Sequence, residues 1–259
     1  MRSAPPFPVL CDAEFPAVEL CNCDGRGGII LVCEHASNTI PTALDGLGLN
    51  DTARASHAAW DIGARDVALA MSAALDAPLV AARVSRLVYD CNRPPESPGA
   101  MPDKSEVFEV PGNRNLSATA RAARVAGVYL PFQSLLRAAI DAAPHPPVLI
   151  TIHSFTPVYF GKPRSTQLGF LHDSDSRYAD AMLRAALDLG VHAEMNAPYA
   201  AADGVTHTLR EHAVSRGLLN VMIEIRNDLI DTPQAAARMA AVLCTIIPDA
   251  LKICAARRE

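Results

Sequence analysis

Two histidines close apolar runs in this chain. His35 follows the run in "IILVCEHAS" (residues 29–37), and His153 ends the one in "PPVLITIHS" (146–154). One histidine at a strand end is more often a hydrogen-bonded bystander, but two of them delivered to neighbouring ends form a metal-ligand pattern. A catalytic zinc takes three protein ligands, commonly a mixture of His and carboxylate, and keeps a fourth position open. The third ligand is sought in "SHAAWDIGARDVA" (56–68), which offers Asp61 and His57. Asp61 has a second reading as an acid in the first turn of a helix, where the helix dipole favours it, and His57 has one as a residue that only orients its neighbours. Glu34 adjoins His35, but successive side chains of a strand point to opposite faces, so the two do not readily reach one ion.

The most pointed single residue is Glu224. In "LLNVMIEIRND" (218–228), Met222, Glu224 and Arg226 alternate with Val221, Ile223 and Ile225, which puts the acid and the arginine on one strand face. A buried carboxylate without a partner costs several kcal/mol, on the order of that for any uncompensated interior charge. Glu224 is therefore either ion-paired with Arg226 or held as a general base beside a cation. In "VSRLVYDCNRPP" (84–95), Arg86, Asp90 and Asn92 read as one strand face, and Arg93 leads into the following loop. Guanidinium forks suit carboxylates, so Arg86, Asn92, Arg93 and Arg226 are the candidate substrate-binding residues. His57, Ser37, Ser154, Arg210 and His212 are candidates for support around them. A serine or cysteine nucleophile (Ser37, Ser154, Cys33 or Cys91) is the rival chemistry, though the chain has no G-x-S-x-G elbow.

These side chains need a frame that carries strand ends to one rim. Strand-length apolar runs fall at 28–34, 77–84, 85–90, 146–154, 166–172, 191–195 and 217–226, and alanine-rich amphipathic segments of helix length at 51–75, 117–143, 175–189, 205–215 and 233–257. Alternation of this kind predicts a three-layer α/β/α sandwich on a mixed, mainly parallel sheet. In such sheets ligands collect beyond the carboxyl ends of the strands. The stretch 91–116 holds five prolines and is read as a long irregular loop near the site, a lid or binding loop. Residues 1–27 are read as an irregular N-terminal segment of a single 259-residue domain. A chain of that length buries roughly 70–75 % of its unfolded surface.

Composition narrows the partners. The net charge of −5 and a pI near 5.9 lack the basic footprint of a nucleic-acid binder. No stretch reads as a signal peptide or a membrane span, and seven scattered cysteines suit reduced thiols. The expectation is a cytoplasmic protein with a small-molecule partner, neither membrane nor nucleic acid. The sequence assigns no oligomeric state.

Taken in order, "VCEHASNTIP", "HAAWDIGARDVA", "SRLVYDCNRPP", "TIHSFTPV", "GVTHTLREHA" and "GLLNVMIEIRNDLI" resemble the N-formylglutamate amidohydrolase family from about residue 28 to 250. The resemblance implies a phosphorylase/hydrolase-like fold related to zinc carboxypeptidases. It also implies hydrolysis of N-formyl-L-glutamate, an acidic N-acyl amino acid, to formate and glutamate in histidine breakdown, with Zn²⁺ or another divalent metal as cofactor. It places His35, Asp61 and His153 as the metal ligands and Glu224 as the catalytic residue. Two departures from the family pattern, "CEHAS" at the first histidine and "HAAWDIG" at the second motif, leave both Asp61 and His57 open as third ligand.

Overall fold

The computed structural model describes residues 16–256. Its strands are β1 (Val18–Cys21), β2 (Ile29–Cys33), β3 (Leu79–Ala82), β4 (Lys104–Ser105), β5 (Phe108–Glu109), β6 (Val148–Phe155), β7 (Val158–Tyr159), β8 (Lys162–Pro163), β9 (Leu168–Leu171), β10 (Glu194–Met195) and β11 (Asn220–Arg226). The α-helices are α1 (Asp51–Ala55), α2 (Ala64–Ala74), α3 (Ala118–Arg124), α4 (Leu130–Asp141), α5 (Arg177–Asp188), α6 (His207–His212) and α7 (Pro233–Ala256).

Among the described residues a seven-stranded sheet runs β1-β3-β2-β6-β11-β9-β10. The central strands β3, β2, β6 and β11 are parallel, while β1 and β9 pair antiparallel with β3 and β11. Parallel strands covered on both faces are apolar throughout, which is why "IILVC" and "VLITI" read as continuous runs. Leu31, Cys33, Ile150, Ile152, Val221, Ile223 and Ile225 face α2, α5 and α7. Ile30, Val32, Leu149 and Met222 face the opposite layer, where Phe132 and Leu136 of α4 and Leu209 of α6 are fully buried. The fold is thus the three-layer α/β/α sandwich that alternation predicts.

Several local expectations are overturned. Residues 18–21, read as irregular, are the edge strand β1; residues 1–15 of that segment lie outside the described residues. The run 85–90 is not a strand. Ser85 turns the chain there: its Oγ donates to the Ala59 carbonyl (2.7 Å) and accepts from Leu87 N, and its carbonyl accepts from Val88 N. A serine that satisfies nearby backbone groups competes with ladder pairing. The helix expected over 51–75 is split into α1 and α2 by residues 56–63. Gly63 sits at φ +79, and a Cβ there would meet the Ile230 carbonyl at 2.2 Å, so the break needs glycine. The helix over 117–143 is continuous but carries a π turn at 125–129 ahead of α4. In loop 91–116 the prolines leave room for the short hairpin β4–β5. α7, 24 residues long, has by length and composition the character of a membrane span, against the expectation that no segment would. It packs its buried face, including Leu243, Ile246 and Ile247, into the core that it shares with α2 and α5.

Candidate metal and active site

The carboxyl ends of β2, β6 and β11 meet at a cavity of about 170 Å³. His35, Asp61, His153 and Glu224 line it. Parallel pairing sets His153 directly beside Glu224, and both face the α4/α6 layer as Leu149 and Met222 do. His35 lies two residues past β2. Asp61 is carried by the glycine-broken segment between α1 and α2, with its backbone N donating to the His35 carbonyl (2.9 Å). It is therefore a strand-rim residue rather than a helix first-turn acid.

Three atoms converge at the cavity floor. His35 Nδ1 and His153 Nδ1 are 3.2 Å apart, and Asp61 Oδ2 lies 3.2 Å from the first and 2.9 Å from the second. All three residues are buried. Both far nitrogens face carboxylates: His35 Nε2 is hydrogen-bonded to Asp90 Oδ1 (2.7 Å), and His153 Nε2 is ion-paired with Glu34 Oε2 at 3.1 Å, outside hydrogen-bond geometry. A far nitrogen set against a carboxylate, by hydrogen bond at His35 and by charge at His153, favours the tautomer with a lone pair on Nδ1. Two lone pairs and a carboxylate oxygen then point at one spot, an arrangement that only a proton or a cation relieves. Tetrahedral bonds of about 2.0–2.1 Å set ligand atoms about 3.3 Å apart, so this donor triangle needs to open by only a few tenths of an ångström. The His35/Asp61/His153 group can hold a metal ion, and its chemistry fits one.

The surrounding charges follow from these contacts. Burial works to raise the Asp61 carboxyl, but His35 and His153 hold it well below the usual range. Burial acts likewise on Asp90 and is outweighed by His35 and Arg86. Glu34, fully buried, is lowered by His153 against the same penalty. Burial and Arg86 lower His35, but Asp90 and Asp61 raise it further. For His153 the burial penalty is outweighed by Glu34 and Asp61, and it ends well above the ordinary value. Glu224 differs. Burial dominates, its Oε2 has neither a hydrogen bond nor an ion pair among the described residues, and its carboxyl is pushed up to about 7.

The other expected residues divide. Arg86 bridges Asp61 Oδ1 (3.3 Å) and Asp90 Oδ2 (2.8 Å), so its charge is already engaged, although it lines the cavity. Asn92 also lines it, yet its side-chain amide donates to the Val205 carbonyl and accepts from Thr208 N. Arg93 lines it and holds the Asn92 and Gly204 carbonyls through one nitrogen. Ser154 contributes its backbone N to Asp61 Oδ2, and its Oγ donates to the Ile62 carbonyl (2.7 Å). His57 lies on the wall against Glu106 (2.8 Å) and outside the donor triangle.

Arg226 is not at the cavity. Asp228, brought round by the 3₁₀ turn that follows β11, takes its guanidinium (2.8 and 3.3 Å), and no ion pair with Glu224 forms. Ser37 turns toward Thr39. Arg210 is exposed, and His212 is buried against Gln133, both away from the lining. The rival nucleophiles fare no better. Burial pushes the Cys33 and Cys91 thiols well up, and Ser154 Oγ has a carbonyl where a catalytic base would have to be.

Sequence reasoning missed Glu34, Asp90 as an anchor, Arg164 and Tyr199. Glu34 did carry a signal, since it directly follows the buried strand β2 and a buried acid requires a partner. Tyr199 reaches the cavity because β9 has Gly169 beside Glu224: a Cβ there would lie 1.8 Å from the Ala197 carbonyl.

The N-formylglutamate amidohydrolase family model matches residues 27–231. A solved structure of a gene product from Agrobacterium tumefaciens is 50 % identical, with TM-score 0.91 over 94 % of this chain and 98 % of that one. The N-formylglutamate amidohydrolase from Ralstonia eutropha JMP134 shares the fold at TM-score 0.65 and 16 % identity, over 92 % of this chain and 98 % of that one. Among curated protein sequences none matches.

Proposed function

The chain belongs to the N-formylglutamate amidohydrolase family, hydrolases of amide bonds, and we propose that it cleaves the N-acyl amide of a small acidic amino acid. The preferred substrate in this reading is N-formyl-L-glutamate, and the products are formate and L-glutamate. His35, Asp61 and His153 would hold a divalent ion, Zn²⁺ by the nitrogen and oxygen character of the set. Such an ion supplies Lewis acidity to the acyl carbonyl and acidity to the attacking water.

The protein's own groups do the rest. Glu34 and Asp90 keep the imidazole rings oriented, and Arg86 steadies Asp61 and Asp90 together. Glu224 Oε2 accepts a proton from the water as its oxygen bonds to the acyl carbon. Glu224 then returns that proton to the nitrogen as the C–N bond breaks, and the hydroxyl proton left on the new carboxyl passes to the departing amine, so that formate and an ammonium group leave. A carboxyl raised toward neutrality by burial suits this two-way role. Arg93 offers N–H groups to a substrate carboxylate. The cavity suits a metabolite smaller than the drug-sized ligands that fill roughly 300–1,000 Å³. The unbridged thiols of Cys33 and Cys91 accord with a cytoplasmic location.

The observation that carries the proposal is the convergence of three acceptor atoms beside an unpartnered buried carboxylate. Its test is formate release from N-formyl and N-acetyl acidic amino acids by purified, metal-analysed protein. Chelator-sensitive turnover of N-formyl-L-glutamate is the expected result. Turnover indifferent to chelator but lost to a thiol reagent would overturn the assignment of roles.

A further inference from the structure

An acidic amino acid acylated on nitrogen carries two carboxylates, and the cations around the cavity are unevenly free to meet them. Arg86 is shared between Asp61 and Asp90, and Arg226 is taken by Asp228. Among the described residues Arg93 and Arg164 have no carboxylate partner. Arg164 follows the β7–β8 hairpin and is held among three rings: its Cζ lies 4.4 Å from the Tyr159 centroid, 4.8 Å from that of Tyr199 and 5.6 Å from that of Phe155. All three rings line the cavity, while Arg164 itself is not among the lining residues and meets the cavity through them. One nitrogen donates to Tyr199 Oη (2.9 Å), which leaves the rest of the fork without an acceptor among the described residues. Arg226, expected at the substrate, instead donates to the backbone carbonyls of Arg164 (3.1 Å) and Ser165 (3.4 Å), and Arg164 N donates to the Pro157 carbonyl. A guanidinium fixed by ring faces and by its backbone has lost most of its conformational freedom before a ligand arrives.

We propose that Arg164, presented by Phe155, Tyr159 and Tyr199 and positioned from behind by Arg226, reads the side-chain carboxylate of the substrate and so determines specificity for acidic amino acids. The inference rests on the amidohydrolase reading and adds the wall on which the side chain lies. Arg93, which lines the cavity, is left for the α-carboxylate. The ring faces shield part of the half-buried Arg164 fork, and shielding strengthens a charge-assisted pair.

The experiment compares wild type with Arg164→Met on N-formyl-L-glutamate and on its neutral isostere N-formyl-L-glutamine. Loss of one charged hydrogen-bonded pair predicts a fall in kcat/KM of about 10- to 100-fold on the glutamate substrate, carried by KM, and none on the glutamine substrate. Arg164→Lys, which keeps the charge but not the fork, should restore part of the preference. An equal fall on both substrates would make Arg164 a structural brace and overturn the proposal, as would no fall on either. Calorimetric binding of glutarate against butyrate separates this from the activity itself. Should wild type release formate from neither substrate yet bind glutarate more tightly, with Arg164→Met abolishing that difference, the amide reading fails and the Arg164 assignment stands. Glutarate and butyrate binding alike to wild type would refute the assignment.

Discussion

Glu34→Gln should weaken metal binding without removing any ligand. Glu34 is fully buried, and its cationic neighbour is His153, 3.1 Å away at Nε2. Glutamine keeps the shape and an oxygen that can accept from the ring, so fold and tautomer survive. What disappears is the negative charge that raises the basicity of His153 and hence of the Nδ1 facing Asp61 and His35. Loss of a carboxylate behind a metal-bound imidazole costs about 10- to 100-fold in affinity, or about 1.4–2.7 kcal/mol. The assay is competition for zinc against a fluorescent chelator, with metal-dependent thermal stabilisation as a second readout. At fixed excess metal, where stabilisation follows the ratio of metal to Kd, the variant's gain in Tm should be smaller by about 3–10 °C for a chain of this size. Affinity equal to wild type would refute the claim that Glu34 sets the basicity of His153, and with it the two-carboxylate scaffold drawn around the triad.

Three further outcomes follow from the same geometry. Glu224→Gln should keep its metal, as measured by elemental analysis, and lose about 10²–10⁴-fold in turnover; retained turnover would remove Glu224 from the reaction. In chelator-treated protein His35 and His153 have raised pKa values, so the stability they contribute is fully present below the unfolded value of about 6.5 and is lost as pH rises through the folded values. The Tm of that form should therefore fall as pH rises above about 6.5, while metal affinity, which competes with the same protons, rises; a metal-free form that grows more stable over that range contradicts this. Gly169→Ala should displace the Ala197–Tyr199 segment from β9, lower kcat/KM and reduce stability by about 1–3 kcal/mol, which urea unfolding measures; unchanged values would mean that the close approach is not required.

What the sequence makes legible here depends on periodicity. Strand ends could be located to within two residues because apolar runs stop near His35 and His153, although β6 continues to Phe155, and the parity of β11 puts Glu224 on the same face as Met222. The sheet and its two helical layers follow from the same runs. Where local side-chain chemistry replaces periodicity, the reading fails. "SRLVYD" has the composition of a strand, but the Ser85 hydroxyl and carbonyl fold it into a turn that aims Arg86 and Asp90 at the triad. Arg226 shares strand parity with Glu224, yet Asp228, two residues on, captures it after the strand has ended. Contacts between distant segments, such as Glu34 with His153 or Arg164 with Tyr199, leave no mark in local pattern. A buried acid at position 34 requires a partner, but the requirement does not say which.

X-ray absorption at the zinc edge of protein reconstituted with one equivalent of Zn²⁺ addresses the donor triangle directly. The geometry predicts one tightly held ion per chain whose inner shell contains two imidazoles and a carboxylate oxygen, with one imidazole lost in His153→Ala. A shell containing thiolate sulfur, or one left unaltered by that substitution, would contradict it.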